Sequence, residues 1–141
     1  MKITRQIARA GIKNANGRIY SKEVFDKVIE EFVTSHKPIF GRFLPDYSTT
    51  GSVLSITDIS HQVLKLNRNG DIFEAVIKVL NTPNGLKLKQ AINEIQAGSP
   101  TNIVAAPCGT GEIDENGNVF NYNMISCDFI PENTSSFKNL I

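Results

Sequence analysis

Tryptophan is absent from this 141-residue chain, and histidine, cysteine and methionine occur only twice each. Each scarcity closes off a class of chemistry. Cys108 and Cys127 are too few for a disulfide framework and lack the paired spacing of a metal site, so both read as reduced thiols. No apolar run approaches the ~20 residues that a membrane-crossing helix needs. Residues 1–13 hold no apolar signal-peptide core. A soluble protein, made and folded in cytoplasm, is therefore expected, with no membrane partner. Lys and Arg number 15 against 14 Asp and Glu, a net charge of +1, so the basic excess typical of nucleic-acid binders is missing. The acidic residues Asp46, Asp58, Asp114, Glu115 and Asp128 are dispersed, without calcium-loop or paired-carboxylate spacing. Gly109-Thr110-Gly111 has no following lysine or helix to make a phosphate loop. No cofactor and no metal are expected.

What the chain does hold is a globular composition, 40% hydrophobic and 21% charged, at the length of one domain. A single α+β domain is expected over 1–135, with 136–141 as a C-terminal tail. Residues 2–12 suggest an opening strand, and Gly17 a turn. Ser21 then caps a helix whose apolar stripe is Val24, Phe25, Val28, Ile29 and Phe32. A short strand at 38–43 precedes a polar loop from Pro45 to Gly51. Asn69-Gly70 signals a two-residue hairpin turn, which would set Leu66 opposite Phe73, Val63 opposite Val76 and His61 opposite Lys78. After the turn at Thr82–Gly85 comes a second helix, with Leu86, Leu88, Ala91, Ile92 and Ile95 inward and Gly98 as its stop. Residues 101–113 and 118–130 form a second hairpin around 114–117. This order predicts an antiparallel, barrel-like sheet with two flanking helices.

Side chains able to do chemistry are few. His36 falls at the end of the first helix, where a cation suits the helix dipole. His61 lies in a strand with no carboxylate near it in sequence. Cys108, in Ala105-Ala106-Pro107-Cys108-Gly109, would serve as a nucleophile only if a base approached it, and His61 is the one plausible base. A Cys108/His61 dyad is thus the single catalytic arrangement that composition leaves open.

Five segments, in order, carry a resemblance: Asn14-Ala15-Asn16-Gly17-Arg18-Ile19-Tyr20, Ile59-Ser60-His61-Gln62-Val63, Leu80-Asn81-Thr82-Pro83-Asn84-Gly85-Leu86-Lys87-Leu88, Ala97-Gly98 and Ser126-Cys127-Asp128-Phe129-Ile130-Pro131. Together they resemble the tailed-phage prohead proteases of the myovirus core-protease type, over roughly residues 10–135. The resemblance implies the β-barrel fold of the herpesvirus assemblins. It also implies a histidine base in a G-x-L-x-H-P loop and a serine nucleophile in G-V-S-S-R-G. In this chain the first segment is Gly41-Arg42-Phe43-Leu44-Pro45, with Leu44 at the base position. The second is Val104-Ala105-Ala106-Pro107-Cys108-Gly109, with Ala105 and Ala106 where serines would stand.

Leucine accepts no proton and alanine has no nucleophile. The expectation is a disarmed member of that family, acting as an auxiliary, cement or decoration protein of a phage capsid. Its partners would be the major capsid protein or other virion proteins, with homo-oligomerisation left open. It would reside in the virion, and in host cytoplasm during assembly. Expected contact regions are the 44–52 loop, the 67–71 hairpin tip and the tail. An active maturation protease using Cys108 and His61, or a transient pseudoprotease assembly factor, are the alternatives.

Overall fold

The structure, a computed structural model, describes residues 1–14, 16–45, 58–100 and 102–132. The expected loop at 45–51 and the tail fall almost wholly outside this set. Among the described residues six strands and two helices follow in the order β1 (Lys2–Arg9), α1 (Lys22–Ser35), β2 (Ile39–Arg42), β3 (Ile59–Asn69), β4 (Ile72–Val79), α2 (Pro83–Gln96), β5 (Ile103–Ile113) and β6 (Val119–Pro131). The strands form one sheet in the order β1-β4-β3-β2-β6-β5. The predicted α+β architecture, a barrel-like sheet with two flanking helices, is present. Four of its joints are antiparallel, while β2 runs parallel to β6 through Phe40 and Ser126. The sheet is therefore mixed.

Both helices start where local chemistry says they should. The Ser21 hydroxyl accepts from the Val24 amide at 3.2 Å, and Thr82 accepts from Gly85 at 3.0 Å. These bonds occupy amides that a helix start leaves unpaired. Pro83 follows at the first helical position, where its missing N–H matters least. His36 closes α1 in the left-handed region, at φ 55°. In α2 the inward set is Gly85, Leu88 and Ile92. Leu86, expected inside, is 55% exposed. Once Leu88 and Ile92 face the sheet, residue 86 lies on the other side of the helix.

The first hairpin departs from the expected register. The turn is Gly70-Asp71, with strand residues Asn69 and Ile72 opposite each other. Gly70 takes φ 62°, which a first central turn position of the primed types requires. Leu66 consequently pairs with Ala75, and Arg68 with Phe73. A bulge between Val63 and Lys65 then shifts the register again, so Val63 meets Ile77 and His61 meets Val79 rather than Lys78. The bulge puts Val63 and Leu66, an odd and an even residue, on one buried face.

That face carries the core. Phe25 of α1 stacks on Phe73 of β4 with centroids 4.5 Å apart, and on Tyr20 at 5.7 Å. Tyr20 meets Tyr122 of β6 edge-on at 5.3 Å. Four rings thus tie both halves of the sheet to α1, in a chain without tryptophan. Phe25 and Phe73 are fully buried. Truncating Phe73 to alanine is expected to cost roughly 3–5 kcal/mol. Urea unfolding should show it as a lower midpoint with an unchanged slope.

Candidate functional site

The site grows out of the parallel joint between β2 and β6. Phe40 bridges Ser126 and Phe43 bridges Phe129, while the Leu44 amide donates to the Phe129 carbonyl at 2.9 Å. Between these points side chains join the strands. The Cys127 carbonyl accepts from His61 Nε2 of β3 at 2.5 Å, and the Arg42 amide donates to Asp128 Oδ1 at 3.0 Å. The His61 ring reaches past β2 to β6, and it passes directly over Gly41. A Cβ on Gly41 would lie 1.8 Å from the Cys127 oxygen and 2.2 Å from His61 Nε2. Only glycine leaves room for that bond.

His61 is fully buried. With Nε2 donating to the carbonyl, Nδ1 is the acceptor, and the Ser60 hydroxyl lies 2.6 Å from it. Phe129 packs edge-on against the ring at 4.9 Å. Burial lowers the His61 pKa to about 4, against the opposing pull of the Cys127 carbonyl and the Asp128 charge. The ring is neutral at pH 7 and both its nitrogens are engaged.

Cys108 lies elsewhere on the joint. It pairs with Ser126 across β5–β6, and its sulfur sits 3.7 Å from Asp128 Oδ2 and 3.8 Å from the Ala106 carbonyl. Among the described residues no hydrogen bond links it to His61. Burial and the Asp128 carboxylate push its thiol up to about 12, so it remains protonated. Burial likewise raises Cys127. Among the described residues His61 bonds Ser60 and the Cys127 carbonyl, while Cys108 bonds Asp128 and the Ala106 carbonyl, so neither bonds the other.

The residues at the expected base and nucleophile positions lie on either side of β6. Ala105 pairs with Phe129 on one side of β6, and the Phe43–Leu44 segment contacts Phe129 on the other. Both positions therefore flank one residue, two strand spacings or ~10 Å apart along the sheet. Ala105 faces the main core with Phe129, whereas Ala106 is buried outside that cluster, opposite Asp128. His36 is the exposed helix cap described above.

Asp128 and Arg42 are residues that the sequence pattern did not single out as a site. Asp128 is 2% exposed, and its Oδ2 meets Arg42 Nη2 at 3.2 Å. An acid inside the apolar run Cys127-Asp128-Phe129-Ile130 was the available signal, since a buried carboxylate requires partners. Among the described residues no group of three or more His, Cys, Asp or Glu is placed to hold a metal ion. Among the described residues no helix is long and apolar enough to cross a membrane.

Two outcomes follow from this geometry. Neutral His61 favours the folded state, so its contribution is complete above pH 6.5 and is lost as pH falls from 6.5 to about 4. Stability should drop by roughly 3 kcal/mol across that window, and His61→Gln should flatten the dependence, as read by denaturant melts at stepped pH. Gly41→Ala should be among the most damaging single-methyl additions, at roughly 3 kcal/mol or more, visible as a lower Tm.

No family model matches the chain, and no curated protein matches it in sequence. In three dimensions it is similar to the bacteriophage T4 capsid assembly protease, gp21. The TM-score is 0.68 at 16% identity, over 92% of this chain and 80% of that one. The chain therefore has the fold of a phage prohead protease.

Proposed function

We propose that this chain is a non-catalytic component of a tailed-phage head, a prohead-protease fold kept for binding other head proteins. One observation carries the reading. Leu44 and Ala105, the residues at the expected base and nucleophile positions, stand on either side of β6 at Phe129, and neither side chain can exchange a proton or attack a carbonyl. The nearby groups with suitable chemistry support it further. His61 is sealed and neutral, and Cys108 is a protonated thiol beside the arginine-paired Asp128 carboxylate. The fold similarity to a capsid assembly protease supplies the setting: the virion, with host cytoplasm during assembly, and the major capsid protein or another head protein as partner. Loss of one member of a nucleophile–base unit removes most of its rate, so partial retention is not expected to leave useful activity.

Mass spectrometry of purified virions should find the protein in mature particles at a copy number fixed relative to the major capsid protein. Absence from mature heads would instead favour a transient assembly factor. Incubation with the cognate scaffold and capsid proteins should give no cleavage. Cleavage abolished by Cys108→Ala would establish the active-protease alternative. Leu44→His combined with Ala105→Ser should also remain at background, because the surroundings no longer orient the new groups. Efficient cleavage by that double variant would show an otherwise intact site.

A further inference from the structure

We propose that this chain assembles head to tail with further copies of itself, the acidic tip of the β5–β6 hairpin of one copy seating on the lysine-rimmed outer face of β1, β4 and β3 of the next. The inference goes beyond the reading of the chain as a protein-binding module and does not need its presence in a virion. It begins with how charge is divided. β1, β3 and β4 carry six cations, Lys2, Arg5, Arg9, Lys65, Arg68 and Lys78, and one acid, Glu74. Residues 102–132 carry no Lys or Arg and five acids, Glu112, Asp114, Glu115, Asp128 and Glu132. A net charge of +1 thus conceals two regions of opposite sign.

Register sets the receiving face. Lys2 pairs with Lys78, Thr4 with Val76, and Val76 in turn with Lys65, so these side chains share one side of the sheet. The other side, with Phe73, Ala75 and Ile77, is the core. Val63 and Leu66 are buried, so the bulge between them turns both Leu64 and Lys65 outward, and Leu64 is 38% exposed. Leu64 and the half-buried Val76 make an apolar centre, with exposed Lys2, Lys65 and Lys78 around it. Glu74 is the one acid of these strands. Arg9 and Arg68 do not add to the rim, because Asp71 and Asp26 already pair with them.

The docking tip has the matching chemistry. Phe120 and Ile113 are 44% and 46% exposed near the end of the hairpin. A bulge at Asn121, whose φ is 52°, lets Val119 and Tyr122 both be buried and leaves Phe120 outside. Glu112 lies opposite Phe120, and Asp114 and Glu115 begin the turn beyond it. Arg18 stands against this turn, but its guanidinium bonds the Tyr20 phenol. An apolar centre with a basic rim is thus met by an aromatic anchor with an acidic rim. Within one chain the two do not neutralise each other. Lys2 and Lys78 lie at the start of β1, whereas its far end leads to the loop whose Ile19 bridges Asn118 at the acidic turn. The eight residues of β1 separate these ends by ~25 Å, beyond the ~10 Å range of charges in ordinary salt. A contact between two different surfaces leaves one surface of each end copy open, so it builds a ring or a filament rather than a closed dimer.

Sedimentation velocity of the full chain over a concentration series is the test. At ~0.05 M salt the mean mass should rise past that of a dimer, and at ~0.5 M it should fall toward the monomer, because screening strengthens with salt. Two variants separate the halves of the contact. Lys2→Glu with Lys65→Glu and Lys78→Glu reverses the face, and Phe120→Ser removes the anchor from the tip. All four positions are exposed, so the melting temperature should stay close to that of the parent. Each variant alone should associate roughly tenfold more weakly, or worse. Mixed, they should form a complex of one copy of each that grows no further, because the intact tip of the first meets the intact face of the second. A chain that stays monomeric at low salt, an assembly that both variants leave unchanged, or a mixture that does not pair overturns the proposal. Absence from virions would defeat the capsid reading and leave this one standing, whereas a strict monomer found in virions would do the reverse.

Discussion

The sheet has one joint that backbone pairing does not fully close, and the rest of the molecule depends on how it is closed. On one side lie β1, β4, β3 and β2; on the other lie β6 and β5. Parallel ladders need evenly spaced bonds between neighbouring backbones. Between Phe40–Ser126 and Phe43–Phe129, two of the bonds instead involve side chains, from His61 to the Cys127 carbonyl and from the Arg42 amide to Asp128. A buried amide or carbonyl without a partner costs about 1–3 kcal/mol, so the polar residues here satisfy backbone groups of the strands themselves. Gly41 is the steric condition for the arrangement, because any side chain at that position would occupy the line of the His61 bond.

This joint also accounts for the chemistry. A histidine, a serine, a cysteine and an aspartate gather around β6, a set from which hydrolases are built. Their bonding distributes them otherwise. His61 spends one nitrogen on a carbonyl and the other on Ser60. Asp128 is matched by Arg42. Cys108 meets a carboxylate, which disfavours its thiolate. The same residue types thus serve as structural ties, and positions 44 and 105, on either side of β6, carry aliphatic side chains.

Much of the scaffold was legible in the sequence because its signals are local. Ser21, Thr82 and Pro83 mark helix starts through bonds reaching only three residues ahead. Asp114 shaped the second hairpin turn through bonds to the amides of Asn116 and Asn118, at 2.8 and 2.9 Å. The first hairpin was less legible. Asn69-Gly70 and Gly70-Asp71 are both acceptable two-residue turns, and the choice moves every downstream pair. What selects Gly70-Asp71 is the burial of Val63, Leu66, Phe73, Ala75 and Ile77 together, which also demands the bulge at Leu64.

By itself the sequence determined the element order, the helix limits and the residue types at positions 44 and 105, because each depends on side-chain identity or on neighbours a few residues away. The tertiary structure alone decided that β2 lies parallel to β6, that His61 bonds Cys127 across Gly41, and that Asp128 pairs with Arg42 over an 86-residue separation. Those contacts join groups whose meeting is set by how the whole sheet curls. Burial then extends the pH range of their uncharged forms, keeping His61 neutral down to about 4 and Cys108 a thiol up to about 12.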